Sequence, residues 1–454
     1  MMRHWTASPT DLAAATREWM TGARWFTGDT SADVSFTHAS PIEANENVAT
    51  VLFFVRCGDL TFSVPLTFRE GPARRENSDV EPIGIIGDVW VWDATEDVDG
   101  QRALLGVLTA DRADSAGALR LTSNPVRRAF PAVSSSHRLT SEQSNTSIIY
   151  RFVDPDAEGS LGIILKVFRV LSDGANPDVE LQQALDAAGS QAVPRQYGSV
   201  RGAWDGGETD VLVAQEFLVG AADAWQVITN ELNAGHLEVT DEIRDLGALT
   251  ADIHRELGEA FTAVDATDEA REALVAQWYE RADRALSDAP ELAEHRTAII
   301  DTFDQARDVD WPTLQRVHGD FHLGQVLHVP GRGWVALDFE GEPLRPLSQR
   351  VQPDLALRDV AGMLRAFDYA AGSAILAGGD GENLTAWTAA AQSAFMEGYG
   401  ELSESETAIL DALILDKALY EVSYETSSRP DWVHIPVGGV LRILEGSQQQ
   451  SDVE

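Results

Sequence analysis

The segment His318-Gly319-Asp320-Phe321-His322-Leu323-Gly324-Gln325, followed by Asp338-Phe339-Glu340, decides how this chain is read. Between the two, Pro330-Gly331-Arg332-Gly333 reads as the turn of a tight hairpin, with strands near 325–329 and 333–338. Such a hairpin brings Asp338 back beside Gln325. The resulting group of oxygen-bearing side chains suits phosphoryl transfer. An alcohol acceptor needs a carboxylate to orient it and take its proton, which points to Asp320 as the base. Nucleotide phosphates need Mg²⁺ held by hard oxygen ligands, which points to Gln325 and Asp338, with Glu340 as a further ligand. A lone His-Gly-Asp is more often a turn than a site; the amide five residues on and the acids after a hairpin tip the balance. His318 reads as a structural hydrogen-bonding residue.

The spacing resembles the His-Arg-Asp…Asn and Asp-Phe-Gly motifs of protein kinases. His-Gly-Asp resembles the aminoglycoside phosphotransferase branch of that superfamily, with Gln325 where Asn is usual. A nucleotide-binding half is expected upstream. Lys166 lies in the apolar strand Ile163-Ile164-Leu165-Lys166-Val167-Phe168 and needs an anionic partner there. Glu180 supplies one, in a helix opened by Asn176-Pro177 and stopped at Gly189. The pair suits a strand lysine on the phosphates steadied by a helix acid. Read alone, Lys166 serves as well as a strand-end residue with its amine in water. Glu142-Gln143-Ser144-Asn145-Thr146-Ser147 stands where a phosphate loop is expected, just before a strand at 148–152, and Ser144, Asn145 and Thr146 are the candidate donors. The same string is compatible with a plain turn. Gln215 and Glu216 fall, by position only, at the linker between lobes where adenine is usually met.

Further outward, the chain has 454 residues, enough for two or three domains, with 34 Lys plus Arg against 73 Asp plus Glu and a net charge of −39. That field repels phosphate backbones and anionic lipid, so neither nucleic acid nor membrane is expected as a partner. The single cysteine, Cys57, excludes an internal disulfide framework and reads as a core residue. No apolar run approaches a membrane span and no signal peptide is evident, so a cytoplasmic location is expected. The expected division is a β-rich cap over 1–125, a small nucleotide-side sheet with one helix over 126–219, and a helical C-lobe over 220–454. A hairpin at 48–57 and 60–68 turns on Gly58-Asp59, and the stretch 70–80 reads as an exposed loop. Helices are expected at 9–20, 240–257, 267–286, 354–371, 384–399 and 404–425, and the tail after Glu445 as frayed.

In the last expected helix, Asp416, Tyr420 and Tyr424 share one face, and Lys417, Glu421 and Glu425 the next. With Arg429 and Trp432 they make a plausible sugar surface of aromatic planes beside charged groups. Spacing alone favours a duller reading, a tyrosine stripe in the core with a Lys417–Glu421 surface pair.

Over nearly its whole length the chain resembles the actinobacterial maltokinases. The resemblance runs through Ala23-Arg24-Trp25-Phe26-Thr27-Gly28, the 142–147 string, Leu165-Lys166-Val167-Phe168-Arg169 and Asn176-Pro177-Asp178-Val179-Glu180-Leu181. It continues in Val317 to Leu327, Asp338 to Pro343, Leu357-Arg358-Asp359-Val360-Ala361-Gly362, and Asp416 through Arg429-Pro430 and Trp432 to Pro436. It implies an α+β, bilobal kinase-like fold with an N-terminal cap. It also implies ATP and Mg²⁺ as donor and cofactor, and α-maltose 1-phosphate as the product, made for α-glucan synthesis. By the same resemblance, Ser144 to Thr146 clamp phosphate. His322, Tyr420, Glu421, Tyr424, Glu425, Arg429 and Trp432 then serve the acceptor, and a trehalose synthase is a conceivable associate. Phe321, Ser427-Ser428 and Val437 depart from the pattern. Two other readings stay open: a glucosamine, aminosugar or aminoglycoside kinase on the same fold, and a non-catalytic nucleotide-binding scaffold.

Overall fold

A computed structural model describes residues 9–44, 47–70, 81–109, 119–127, 129–139, 144–342 and 345–451. The stretch 71–80, Glu142, Gln143 and Pro343, on which some expectations fall, lies outside the described residues. The chain parts into two compact units, Met1–Glu180 with Pro194–Val219, and Leu181–Val193 with Gly220–Glu454. No helix among the described residues is long and apolar enough to cross a membrane.

The first unit holds two antiparallel sheets. One orders its strands Val34–Ala44, Val48–Cys57, Leu60–Glu70, Val89–Asp93, Gly84–Ile86. Its central hairpin is the expected one: Cys57 pairs with Leu60, and Gly58 takes φ +59, the left-handed value that the first central residue of such a two-residue loop requires. The second sheet runs Arg120–Pro125, Gln196–Trp204, Gly207–Glu216, Gly162–Phe168, Asn145–Phe152, Val133–Arg138. The expected cut at residue 125 does not separate them. Arg120–Pro125 belongs to the second sheet, and Val170–Leu171, directly after a strand of the second sheet, pairs with Leu60–Glu70 of the first. Ile42, Leu52 and Phe54 from one sheet share a core with Leu121, Tyr150, Leu165 and Val213 from the other.

Arg169 sits at this crossing with its side chain fully buried. Its guanidinium donates to Asp93 (3.0 Å), Thr95 (3.1 Å) and the Thr146 hydroxyl (2.8 Å), and lies over the Trp25 ring at 4.8 Å. A buried cation needs such a complete set of partners. The helix Val98–Val107, which the sequence reading passed over, starts at Asp97, whose carboxylate caps Asp99 N and pairs with buried Arg69.

The second unit is mainly helical around Trp278, Phe303, Phe339, Phe367 and Phe395. The expected helices appear as Asp241–Ala260, Asp268–Asp288, Leu357–Leu376, Gly381–Tyr399 and Glu404–Ser428. Their starts follow cap chemistry. Ser403 and Glu406 form a capping box at the head of the last, which fixes where that long helix begins. The chain end corrects the expected frayed tail: the helix His434–Ser451 continues through it. The predicted hairpin is present as Val326–Val329 and Gly333–Ala336, joined by Ala222–Asp223 into a three-stranded sheet. Arg332, at its turn, donates to the carbonyls of Gln191 (3.0 Å) and Val193.

Candidate functional site

The 318–325 loop is braced from below by one buried acid. Asp359, in the first turn of Leu357–Leu376, accepts from the backbone N–H groups of His318 and Gly319, both at 2.8 Å, and from His254 Nε2 at 3.2 Å. Burial opposes ionisation of Asp359, but the His254 hydrogen bond, the His254 and His318 charges and the Gly319 N–H outweigh it and hold its carboxyl below the usual range. Gly362, one turn later, lets the helix touch the loop: a Cβ there would meet the Phe321 carbonyl oxygen at 2.4 Å. His318 donates from Nε2 to the Leu337 carbonyl at 2.8 Å and packs its ring against Phe339. It is therefore structural, as the sequence reading expects.

The hairpin closes as predicted. Leu337 N donates to the Gln325 carbonyl at 2.9 Å, which sets Gln325 beside the residue preceding Asp338. Asp338 has φ +62, the one positive value among described non-glycine residues. That region costs an ordinary residue about 1–2 kcal/mol, and aspartate is among the few side chains that tolerate it. Carboxylate oxygens of Asp338 and Glu340 lie within 4.8 Å of one another. Arg350 donates to the Glu340 carbonyl at 2.8 Å and fixes that backbone. Two carboxylates that close form a hard-oxygen donor pair that fits Mg²⁺. His322 accepts through Nδ1 from Gly324 N at 3.0 Å, and burial holds its pKa below the usual value.

Asp320 has a partner that the sequence reading placed elsewhere. Lys417 Nζ lies 3.2 Å from Asp320 Oδ1 and 2.8 Å from Glu342 Oε1. Burial disfavours the lysine cation, but Glu342 and Asp320 outweigh it and its pKa rises. Glu342 is likewise buried; the charges of Lys417 and Arg358 overcome that penalty and hold its carboxyl down to about 2.

The rest of the 416–432 segment divides between ion pairs and rings. Asp416 takes two bonds from Arg281 (2.5 and 2.7 Å), Glu421 takes two from Arg365 (2.9 and 2.7 Å), and Glu425 pairs with Arg429. The Tyr420 and Tyr424 rings stack at 6.4 Å, and Arg429 lies over Trp432 at 4.8 Å and over Tyr424 at 5.9 Å. Neither expected pattern survives whole. Lys417 is not a surface partner of Glu421, and the carboxylates of Glu421 and Glu425 are already neutralised by arginines.

In the first unit, Lys166 is in its expected strand, with Nζ 3.1 Å from buried Asp178 Oδ2. Asn176 caps the helix Pro177–Ala187 by accepting from Asp178 N at 2.9 Å. Asp178 and Glu180 share that first turn, and nothing in their spacing picks out Asp178 beforehand. The 144–147 string is not a loop ahead of the strand. Asn145, Thr146 and Ser147 open the strand Asn145–Phe152 itself, because they pair with Phe168, Val167 and Lys166. The Thr146 hydroxyl is taken by Arg169, and Asn145 Nδ2 donates to the exposed Ser144 hydroxyl at 3.4 Å. Gln215 and Glu216 end the strand Gly207–Glu216, where the Glu216 carboxylate is held by Arg195 at 2.5 and 3.1 Å.

Residues 138–393, more than half of the chain, match the phosphotransferase enzyme family. The chain belongs to this family. It is thus a phosphotransferase with an alcohol group as acceptor, on the kinase-like α+β fold that the sequence reading expects. Residues 19–97 match the maltokinase N-terminal cap domain. This phosphotransferase is 29% identical over 327 residues to a glucosamine kinase of Streptacidiphilus jiangxiensis, covering 65% of this chain and 70% of that one. It is 28% identical over 331 residues to a glucosamine kinase of Mycolicibacterium smegmatis, covering 68% and 79%. The solved structure of a glucosamine kinase in complex with glucosamine, ADP and inorganic phosphate shares its fold, with a TM-score of 0.69 at 21% identity over 98% of this chain and 100% of that one.

Proposed function

We propose that this phosphotransferase is an ATP-dependent maltokinase that places the γ-phosphoryl group of ATP on the anomeric hydroxyl of maltose. The new bond joins that oxygen to phosphorus, the bond to the ADP oxygen breaks, and the hydroxyl proton passes to Asp320. Lys166, steadied by Asp178 and Glu180, holds phosphate oxygens, and the backbone around Ser144 supplies further donors. Gln325, Asp338 and Glu340 hold Mg²⁺, which when bound offsets the charge of the phosphates. Backbone groups at Gln215 and Glu216 meet the adenine, since the Glu216 side chain is occupied by Arg195. His322 lines the acceptor side. The product, α-maltose 1-phosphate, is an activated disaccharide suited to a glucan-extending transferase.

One observation carries the choice of acceptor. The surface at Tyr420, Tyr424, Arg429 and Trp432 offers stacked rings, while the buried carboxylates of Glu421 and Glu425 are paired with Arg365 and Arg429. A neutral disaccharide stacks on such a surface through its C–H faces, whereas neither Glu421 nor Glu425 is free to take up an aminosugar ammonium, and exposed Asp431 is the carboxylate beside the rings. The cap-domain match supports the same reading. A second reading, glucosamine kinase, draws on the names of the 28–29% identical relatives. An ATP-consumption assay across maltose, glucose, glucosamine and an aminoglycoside, with the phosphate position read by NMR, decides between them. Maltose preference with an anomeric phosphate supports the proposal. Glucosamine preference replaces it, and nucleotide binding without turnover would revive a scaffold role.

A further inference from the structure

The geometry points to Lys417 as a positioning residue that fixes the carboxylate of Asp320 for proton transfer, with Glu342 as its anchor. The inference rests on Asp320 being the base. A carboxylate in a part-open loop turns freely about its last bond, and only some orientations direct a lone pair at an acceptor hydroxyl. Lys417 removes that freedom. Its Nζ is 3.2 Å from Asp320 Oδ1, so that oxygen is engaged and Oδ2 is the one left to receive the proton.

The lysine itself cannot wander. Its side chain is 19% exposed, its ammonium is 2.8 Å from Glu342 Oε1, and it lies 5.2 Å from the centre of the Tyr420 ring. Glu342 in turn is 6% exposed and feels the positive charge of Arg358 and Arg281. The base and the first ring of the proposed sugar surface are thus tied to one cation on one helix, Glu404–Ser428. A lysine with only a structural duty would need Glu342 alone. Its second contact, with the proposed base, is what assigns it the further role.

The experiment separates neutralising a buried acid from aiming the base. Lys417→Met leaves Glu342 buried and unpaired, and that variant is expected to unfold at lower temperature. Lys417→Met combined with Glu342→Gln removes both charges at constant shape and should recover the thermal midpoint. If Lys417 positions Asp320, the double variant folds like the parent, and kcat is still about 10²-fold lower with the KM for ATP within twofold. Lys417→Arg, which keeps the cation, should recover part of kcat. If the double variant regains both stability and kcat, to within threefold of the parent, the inference is wrong and Lys417 only compensates Glu342. Asp320→Asn is measured alongside: normal turnover in that variant would remove the base assignment itself, a different failure from that of Lys417.

Discussion

The 318–342 segment and the 416–432 segment are both rich in acids, and they hold those acids by opposite means. In the first, the backbone sets the positions, and Lys417 adds a side-chain tie at Asp320 and Glu342. Asp320, Gln325 and Asp338 are placed by a loop pinned to Asp359, a hairpin closed at Gln325–Leu337, and a left-handed φ at Asp338. Their side chains remain at least partly accessible. In the second, a regular helix fixes the backbone and leaves side-chain charge as the problem. Arg281, Arg365 and Arg429 pair with Asp416, Glu421 and Glu425, Arg365 also with Asp368, and the rings and Asp431 are left at the surface. A strained loop can present a reactive acid because its main chain is tethered elsewhere, whereas a helix buried on one side must neutralise its acids first.

The comparison breaks most visibly at Asp320. Asp320→Asn should cost about 10³-fold in kcat while leaving nucleotide affinity, measured by calorimetry, within twofold. Intact turnover would show that the loop presents something other than a base. Next is the tether. Asp359→Ala orphans two backbone N–H groups and His254, and should lower the unfolding free energy by about 3 kcal/mol in urea titration. A loss below about 1 kcal/mol would mean the loop holds itself.

Asp411 tests the helical half from the other side. It lies on Glu404–Ser428, and burial pushes its carboxyl up to about 6 from 3.8. The folded state binds this proton more tightly than the unfolded state. Its ionisation therefore destabilises the fold progressively as pH rises from about 4 to 6, and the whole penalty is present above that. Asp411→Asn should gain about 2 kcal/mol at neutral pH and nothing below pH 4, as read from urea midpoints at both pH values. An equal gain at both would place the effect in packing instead of charge. The smallest effect is expected at the surface. Tyr424 is 43% exposed, and Tyr424→Ala should raise the KM for maltose about fivefold, near 1 kcal/mol, with kcat little changed.

The same contrast explains what could be read from the sequence. The 318–325 loop, the hairpin, the Asn-Pro helix start and the strand around Lys166 are set by neighbours close in sequence, and all four appear where turn and cap chemistry puts them. Partners distant in sequence were not legible. Arg365 is 56 residues from Glu421 and Arg281 is 135 from Asp416, so a helical wheel shows the acids but not what neutralises them. Lys417 is 97 residues from Asp320, and only the packed fold brings them together. The opening of Asn145–Phe152 was misread for a related reason: Ser, Asn and Thr favour turns locally, and cross-strand pairing with Gly162–Phe168 overrides that preference.

Arg169 has a consequence for the engineering of the cap. The strand that carries Lys166 continues, within three residues, into a guanidinium whose acid, Asp93, lies inside the match to the cap family, as does the Trp25 ring beneath it. A shortened chain starting at residue 126 would therefore inherit a stranded positive charge three residues from Lys166, and the strand Gln196–Trp204 would lose its partner Arg120–Pro125. The cap is not a detachable cassette. A minimal version built without the cap would need the Arg169 side chain replaced first.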